Sequence, residues 1–307
     1  MGKRFRSLLI SLSIFIFLLT LYQTLVFGGV VLPSDGINGS QSNTIKAQRY
    51  IYNHQSDREM VLVGSSITAR INPEYISSHA VSLAMVGMSP QIGLEIVERE
   101  KVKPHFLLIE LNNTIQKTRK GKLTTDFLEN LYHPFFYFIR LYFPIFRQEY
   151  QPVSTLVQFL IKAFTTEDRV LFRFLEEGKS TKTLVYPEVI EKLIIQQIQA
   201  GSYPISEQAK KVIKEESEYI KTQIKKFKNE GVRVILMDIP REKRVQDTIM
   251  EKQVRELFRE LFPKDIYEWM PEPPSREWKT NDGVHLVTSS AKEYASFLRE
   301  HLLKTAQ

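Results

Sequence analysis

The chain has 307 residues, 43% hydrophobic and 25% charged, the balance of a folded globular protein with length for one or two domains. It contains no cysteine, which excludes a disulfide framework, cysteine-ligated zinc, iron–sulfur clusters and a thiol nucleophile. The formal charge is +7, but Lys3, Arg4 and Arg6 supply three of those charges, and the 275 residues after Leu32 carry 39 bases against 35 acids. So mild an excess, with no recognisable binding module, argues against a nucleic-acid partner.

Ser7 to Phe27 is an uncharged run of 21 residues dominated by Leu, Ile and Phe. At about 1.5 Å per residue it reaches roughly 30 Å, the thickness of a bilayer's hydrocarbon core. Three cations precede it and none follows closely, so the positive-inside rule predicts a cytoplasmic amino terminus. Everything after about Val31 would then be extracytoplasmic, in the periplasm or at the cell surface. The run outlasts the about 7–15 apolar residues of a signal peptide, and Phe27-Gly28-Gly29 is a poor cleavage site, which favours an uncleaved single-pass anchor over residues 1–32. Pro33 to Asn43, rich in Ser, Asp, Gly and Asn, predicts a tether, and 33–57 a tether and lead-in.

From residue 58 short apolar strands alternate with helical patterns. Met60–Val63 ends at Gly64-Ser65-Ser66, and Ala80–Met85 ends at Gly87. Ser89 and Pro90 open a helix that runs to about Lys101. Phe106–Leu111 ends at Asn112-Asn113, and a long helical pattern, 206–229, leads to a fourth strand, Val232–Ile239. A weak fifth strand is expected near Ile266–Trp269, and a last helix from Thr288 or Ser289 to about Leu303. Near-continuous apolar strands between helices predict a parallel sheet buried on both faces, a three-layer α/β/α architecture, with ligands at the carboxyl ends of the strands.

Residues 115–230 interrupt the alternation as a helical insertion. They open on a basic cluster, Lys117 to Lys122, followed by an aromatic stretch from Leu131 to Phe146. Pro134, Pro144 and Arg140 disfavour a second span. A helical subdomain packed on the sheet is one reading; an interfacial surface touching lipid or a membrane partner is the other.

The chemistry-bearing residues gather at the strand ends. Asp282-Gly283-Val284-His285 places an acid three residues before a histidine, where it can hold one ring tautomer and leave the other nitrogen as a base. Ser66, at a strand–turn–helix bend, is a candidate nucleophile, although serines there often only cap the next helix. Gly87 could bring a backbone N–H close to a substrate, or simply turn the chain; Asn112 and Asn113 could donate an amide N–H, or form a turn. The other histidines lack metal-ligand spacing, so neither a metal nor another cofactor is implied.

Taken together and in order, these segments resemble the SGNH (GDSL-type) hydrolase family. Val61-Leu62-Val63-Gly64-Ser65-Ser66 looks like its first block, Ser82-Leu83-Ala84-Met85-Val86-Gly87 its second, Ile109-Glu110-Leu111-Asn112-Asn113-Thr114 its third, and Asp282-Gly283-Val284-His285-Leu286 its last. Ser65 stands where Asp is usual, Ser82 where Asn is common, and Thr114 where the oxyanion Asn falls, so either Asn112 or Asn113 would serve. The resemblance covers about 58–114 and 230–304. It implies an SGNH-hydrolase or flavodoxin-like fold over 58–307, with Ser66, His285 and Asp282 as a triad and the Ser66 and Gly87 N–H groups plus an Asn as the oxyanion hole.

Similarity to membrane-anchored envelope proteins of that branch implies O-acyl transfer or ester hydrolysis on a cell-envelope polysaccharide or glycolipid, beside a polytopic membrane O-acyltransferase. The alternative is a non-catalytic partner subunit that binds acylated polymer or such an acyltransferase. A Ser66 Oγ to His285 distance within about 3.5 Å separates the two, since a binding subunit has no need to keep it.

Overall fold

The computed structural model describes residues 3–53, 59–117, 121–157 and 187–304. Part of the expected basic cluster, 118–120, and part of the insertion, 158–186, lie outside the described residues. Contacts divide the chain into two compact units, 1–52 with 129–179, and 53–128 with 180–307. The expected 115–230 insertion is therefore shared between them rather than forming one body.

The first unit begins with helix α1 (Lys3–Phe27), whose residues 5–27 are long and apolar enough to cross a membrane. Helix α2 (Gly39–Tyr52) follows, and its start differs from the expected tether. The Asn38 Oδ1 accepts from the Gln41 N–H at 2.9 Å, while Gln41 and Asn43 are buried. The polar residues that read as linker are a cap and packed side chains. Glu149 and Arg49 join the two parts of this unit: Arg49 Nε lies 2.6 Å from Glu149 Oε2, and its Nη2 donates to the Ser34 carbonyl at 3.0 Å.

The second unit holds a parallel sheet of β1 (Met60–Gly64), β2 (Ala80–Ala84), β3 (Phe106–Glu110) and β4 (Arg233–Met237), in the order β2-β1-β3-β4. Every residue of β1 is buried, as its uninterrupted apolar sequence requires of a strand covered on both faces. Helix α3 (Pro90–Arg99) packs on β1 and β2, and Leu62, Leu108 and Ile235 form a core with Trp278, Tyr294 and Leu298. The chain passes from β1 to one side for β2, then returns to the other side for β3. This reversal opens a crevice beyond the carboxyl ends of β1 and β3.

Helix α4 (Lys122–Tyr132) runs across the division between the units, and α5 (Pro134–Tyr142) belongs to the first. In the second unit, α6 (Pro187–Gly201) precedes α7 (Glu207–Asn229). The α7 cap is Ser206, accepting from the Ala209 N–H at 3.2 Å; Ile213, Ile220, Ile224 and Phe227 form its buried stripe. After β4 come a single turn, α8 (Lys243–Gln246), then α9 (Ile249–Leu261) and, last, α10 (Thr288–Lys304). The expected fifth strand near Ile266–Trp269 is reduced to one bridge between Leu236 and Trp269. Pro271, Pro273 and Pro274, which lack N–H donors, end the pairing there.

Candidate active site

Gly64 ends β1 and Ser65-Ser66 turn away from it into a single 3-10 turn, Thr68–Arg70, shorter than the helix expected after Ser66. The turn is organised from β3. The buried Glu110 carboxylate accepts from the Ser65 N–H at 2.6 Å and from Thr68 Oγ1 at 2.7 Å, and its other oxygen accepts from the Asn112 amide. Neutral donors on both oxygens offset the cost of burying the charge. Gly64 is needed for this approach, since a Cβ there would meet Thr68 Oγ1 at 2.2 Å and Glu110 Oε2 at 2.5 Å.

The two serines then take different roles. Ser65 Oγ is buried and accepts from the Ile67 N–H at 3.2 Å, so it stabilises the turn. Ser66 Oγ instead faces the loop before α10, 2.9 Å from His285 Nε2. His285 Nδ1 lies 2.6 Å from Asp282 Oδ2. With Nδ1–H donated to the carboxylate, Nε2 is left to accept the serine proton.

Asp282 is itself held in place. Its Oδ1 accepts from the backbone N–H of His285 at 2.8 Å and of Val284 at 3.0 Å. Burial works against the charged carboxyl, but the bonds from the His285 ring and backbone outweigh it and keep Asp282 below the usual carboxylate range. Gly283 adopts φ +91°, and a Cβ there would meet Val245 Cγ2 at 2.8 Å, so the tight loop from acid to base depends on glycine.

A cavity of about 180 Å³ opens beside Ser66 and His285, lined in part by Asn113, Thr114, Gln197 and Gly201. The two asparagines separate here. Asn112 is buried and its side chain is committed, its amide donating to Glu110 and to Ser65 Oγ and its oxygen accepting from the Thr114 N–H at 2.8 Å. Asn113 lines the cavity, and its side chain has no hydrogen-bond partner among the described residues. The N–H groups of Ser66 and Gly87 also have no partner among them. Gly87 sits exposed in the turn after β2 with φ +76°, its carbonyl accepting from Lys117 Nζ at 3.2 Å, and is not among the residues lining this cavity.

Sequence reasoning missed the supporting residues. Glu110 left a signal, an acid inside an otherwise apolar strand. The buried ion pair of Arg241 with Glu251, which forms part of the cavity wall, left none, because its members lie ten residues apart on a loop and on α9. A scan against protein-family models and searches of curated proteins and of solved structures find no match for this chain.

Proposed function

We propose that this protein is a membrane-anchored serine esterase or O-acyltransferase of SGNH type, with a three-layer α/β/α catalytic domain outside the cytoplasm. The observation that carries the reading is the unbroken chain Ser66 Oγ–His285–Asp282, at 2.9 and 2.6 Å, opening on a cavity at the carboxyl ends of the strands. A non-catalytic binding subunit would have no need of that geometry.

In the proposed reaction His285 Nε2 takes the Ser66 proton as Oγ forms a bond to an ester carbonyl carbon. The developing oxyanion is met by the Ser66 N–H and the Asn113 amide; the Gly87 N–H, the further donor that the family resemblance implies, lies outside the lining of this cavity. His285 returns its proton to the leaving alcohol, and the acyl group stays on Ser66. A water or sugar hydroxyl, deprotonated by His285, then attacks the acyl carbon; the bond from that carbon to Oγ breaks, and His285 returns the proton to Oγ. Asp282 stays ionised and holds the ring tautomer throughout.

A cavity of about 180 Å³ is below the about 300–1,000 Å³ that encloses a drug-sized ligand, which favours a short acyl group, such as acetyl, on a larger acceptor lying outside it. With α1 as an anchor, a cell-envelope polysaccharide or glycolipid suits this arrangement. A polytopic O-acyltransferase beside it would be the donor-side partner.

The test is labelling of the full chain in detergent with a serine-directed fluorophosphonate. We expect labelling of the wild type and its loss in Ser66→Ala and His285→Ala. A folded wild type that resists the probe would overturn the catalytic reading in favour of the binding subunit.

A further inference from the structure

The aromatic stretch takes no part in the proposed chemistry. Helix α5 has no buried residue, and Phe135, Phe136, Phe138 and Tyr142 are 43–62% exposed on it, followed by Phe143 and Phe146 at 46% each. From Leu131 to Gln148 there is no acidic side chain. Six exposed rings within twelve residues form an apolar surface too concentrated to be scattered surface hydrophobics.

What covers this surface is indicated by its attachment to α1. Residues 5–18 of α1 are exposed on all sides, whereas Leu19, Tyr22, Gln23 and Val26, spaced as one helix stripe, are packed. Tyr22 Oη donates to the Tyr150 carbonyl at 2.7 Å, and Gln23 Oε1 accepts from the Ile145 N–H at 3.4 Å. Both polar side chains sit one to two turns, roughly 6–8 Å, before the end of the apolar helix. At such a depth water is scarce, and a polar group needs a protein partner. The segment after α5 supplies one to the Tyr22 hydroxyl and to the Gln23 carbonyl oxygen, which registers the aromatic surface to the last turns of α1.

We propose that α5 and the turn after it, through Phe146, form a second membrane-contacting element, lying in the headgroup–acyl boundary of the leaflet where α1 emerges. The Phe rings enter the acyl region, while Arg140, stacked 5.3 Å over the Phe136 ring and donating to the Asn130 carbonyl at 2.9 Å, keeps its charge on the protein side of that boundary. The inference rests on the reading that α1 crosses the membrane.

Because the chain has no cysteine, a single introduced one takes a nitroxide at one place. Full-length Phe138→Cys, Phe143→Cys, Ile14→Cys and Gln208→Cys would be labelled and reconstituted in vesicles of phosphatidylethanolamine and phosphatidylglycerol. Collision with oxygen would be compared with collision with a water-soluble nickel chelate, and circular dichroism would establish that each variant is folded. At 138 and 143 we expect oxygen to be favoured at least about threefold over its ratio at 208, and less strongly than at 14. Ratios at 138 and 143 equal to that at 208, with 14 still in lipid, overturn this inference and leave the span intact. Nickel access at 14 overturns the span and the inference with it. Labels at 138 and 143 shielded from both reagents overturn it in favour of a protein contact.

Discussion

Glu110 carries much of the site without touching a substrate. It draws Ser65 and Thr68 toward β3, and so aims the neighbouring Ser66 outward. Glu110→Gln puts an amide NH₂ among donors, and unfolding in urea should show a loss of about 1–3 kcal/mol. The paired asparagines should split in the same assays. Asn112→Ala removes a buried scaffold bond and should lower stability, whereas Asn113→Ala should leave stability unchanged and lower kcat on an acetyl ester by about 10²–10³-fold, the cost of one oxyanion donor. Asp238, half-buried at the end of β4, is pushed up by burial to about 6 from its ordinary 3.8, against the opposing pull of Arg241 and Arg255. A raised carboxyl favours folding while protonated, so that contribution is present below about pH 4 and lost as pH rises through about 6. Urea titrations between pH 4 and 7 should show this decline in the wild type and not in Asp238→Asn.

The elements differ in how openly their sequences declare them. The four strands are apolar runs ending at small or polar residues, and pattern reading places each to within two residues of its observed ends, because burial on both faces leaves no alternation to confuse. The start of α2 was hidden, since Asn38, Gln41 and Asn43 look like linker until their partners are known. The loop before α10 is legible as a motif, but its strain is not. Gly283→Ala sets a Cβ against Val245 at a positive φ, and should cost about 1–3 kcal/mol with a loss of activity, readable by thermal unfolding and ester turnover. On α9, Glu251 pairs with Arg241 in the cavity wall. Glu251→Gln leaves a guanidinium buried without its counter-ion, so we expect a stability loss of about 3–5 kcal/mol.

At the scale of the molecule, the strand order accounts for the gathering of distant residues. Ser66 and His285 are 219 positions apart, and they meet because the β1 exit and the loop before α10 open on the same crevice. The charge asymmetry around α1 predicts that the unit holding the sheet lies outside; Gln208→Cys, exposed on α7, should then react with an impermeant maleimide in intact cells. Sequence by itself determined the apolar span, the parallel α/β character and the residues of the Ser66–His285–Asp282 group, because hydropathy runs and short motifs are local properties of the chain. The tertiary structure decided which asparagine lines the cavity, how Ser65 is held within the turn, and that the aromatic stretch packs with α1. Those depend on hydrogen bonds and packing between segments far apart in sequence, and no local pattern records them.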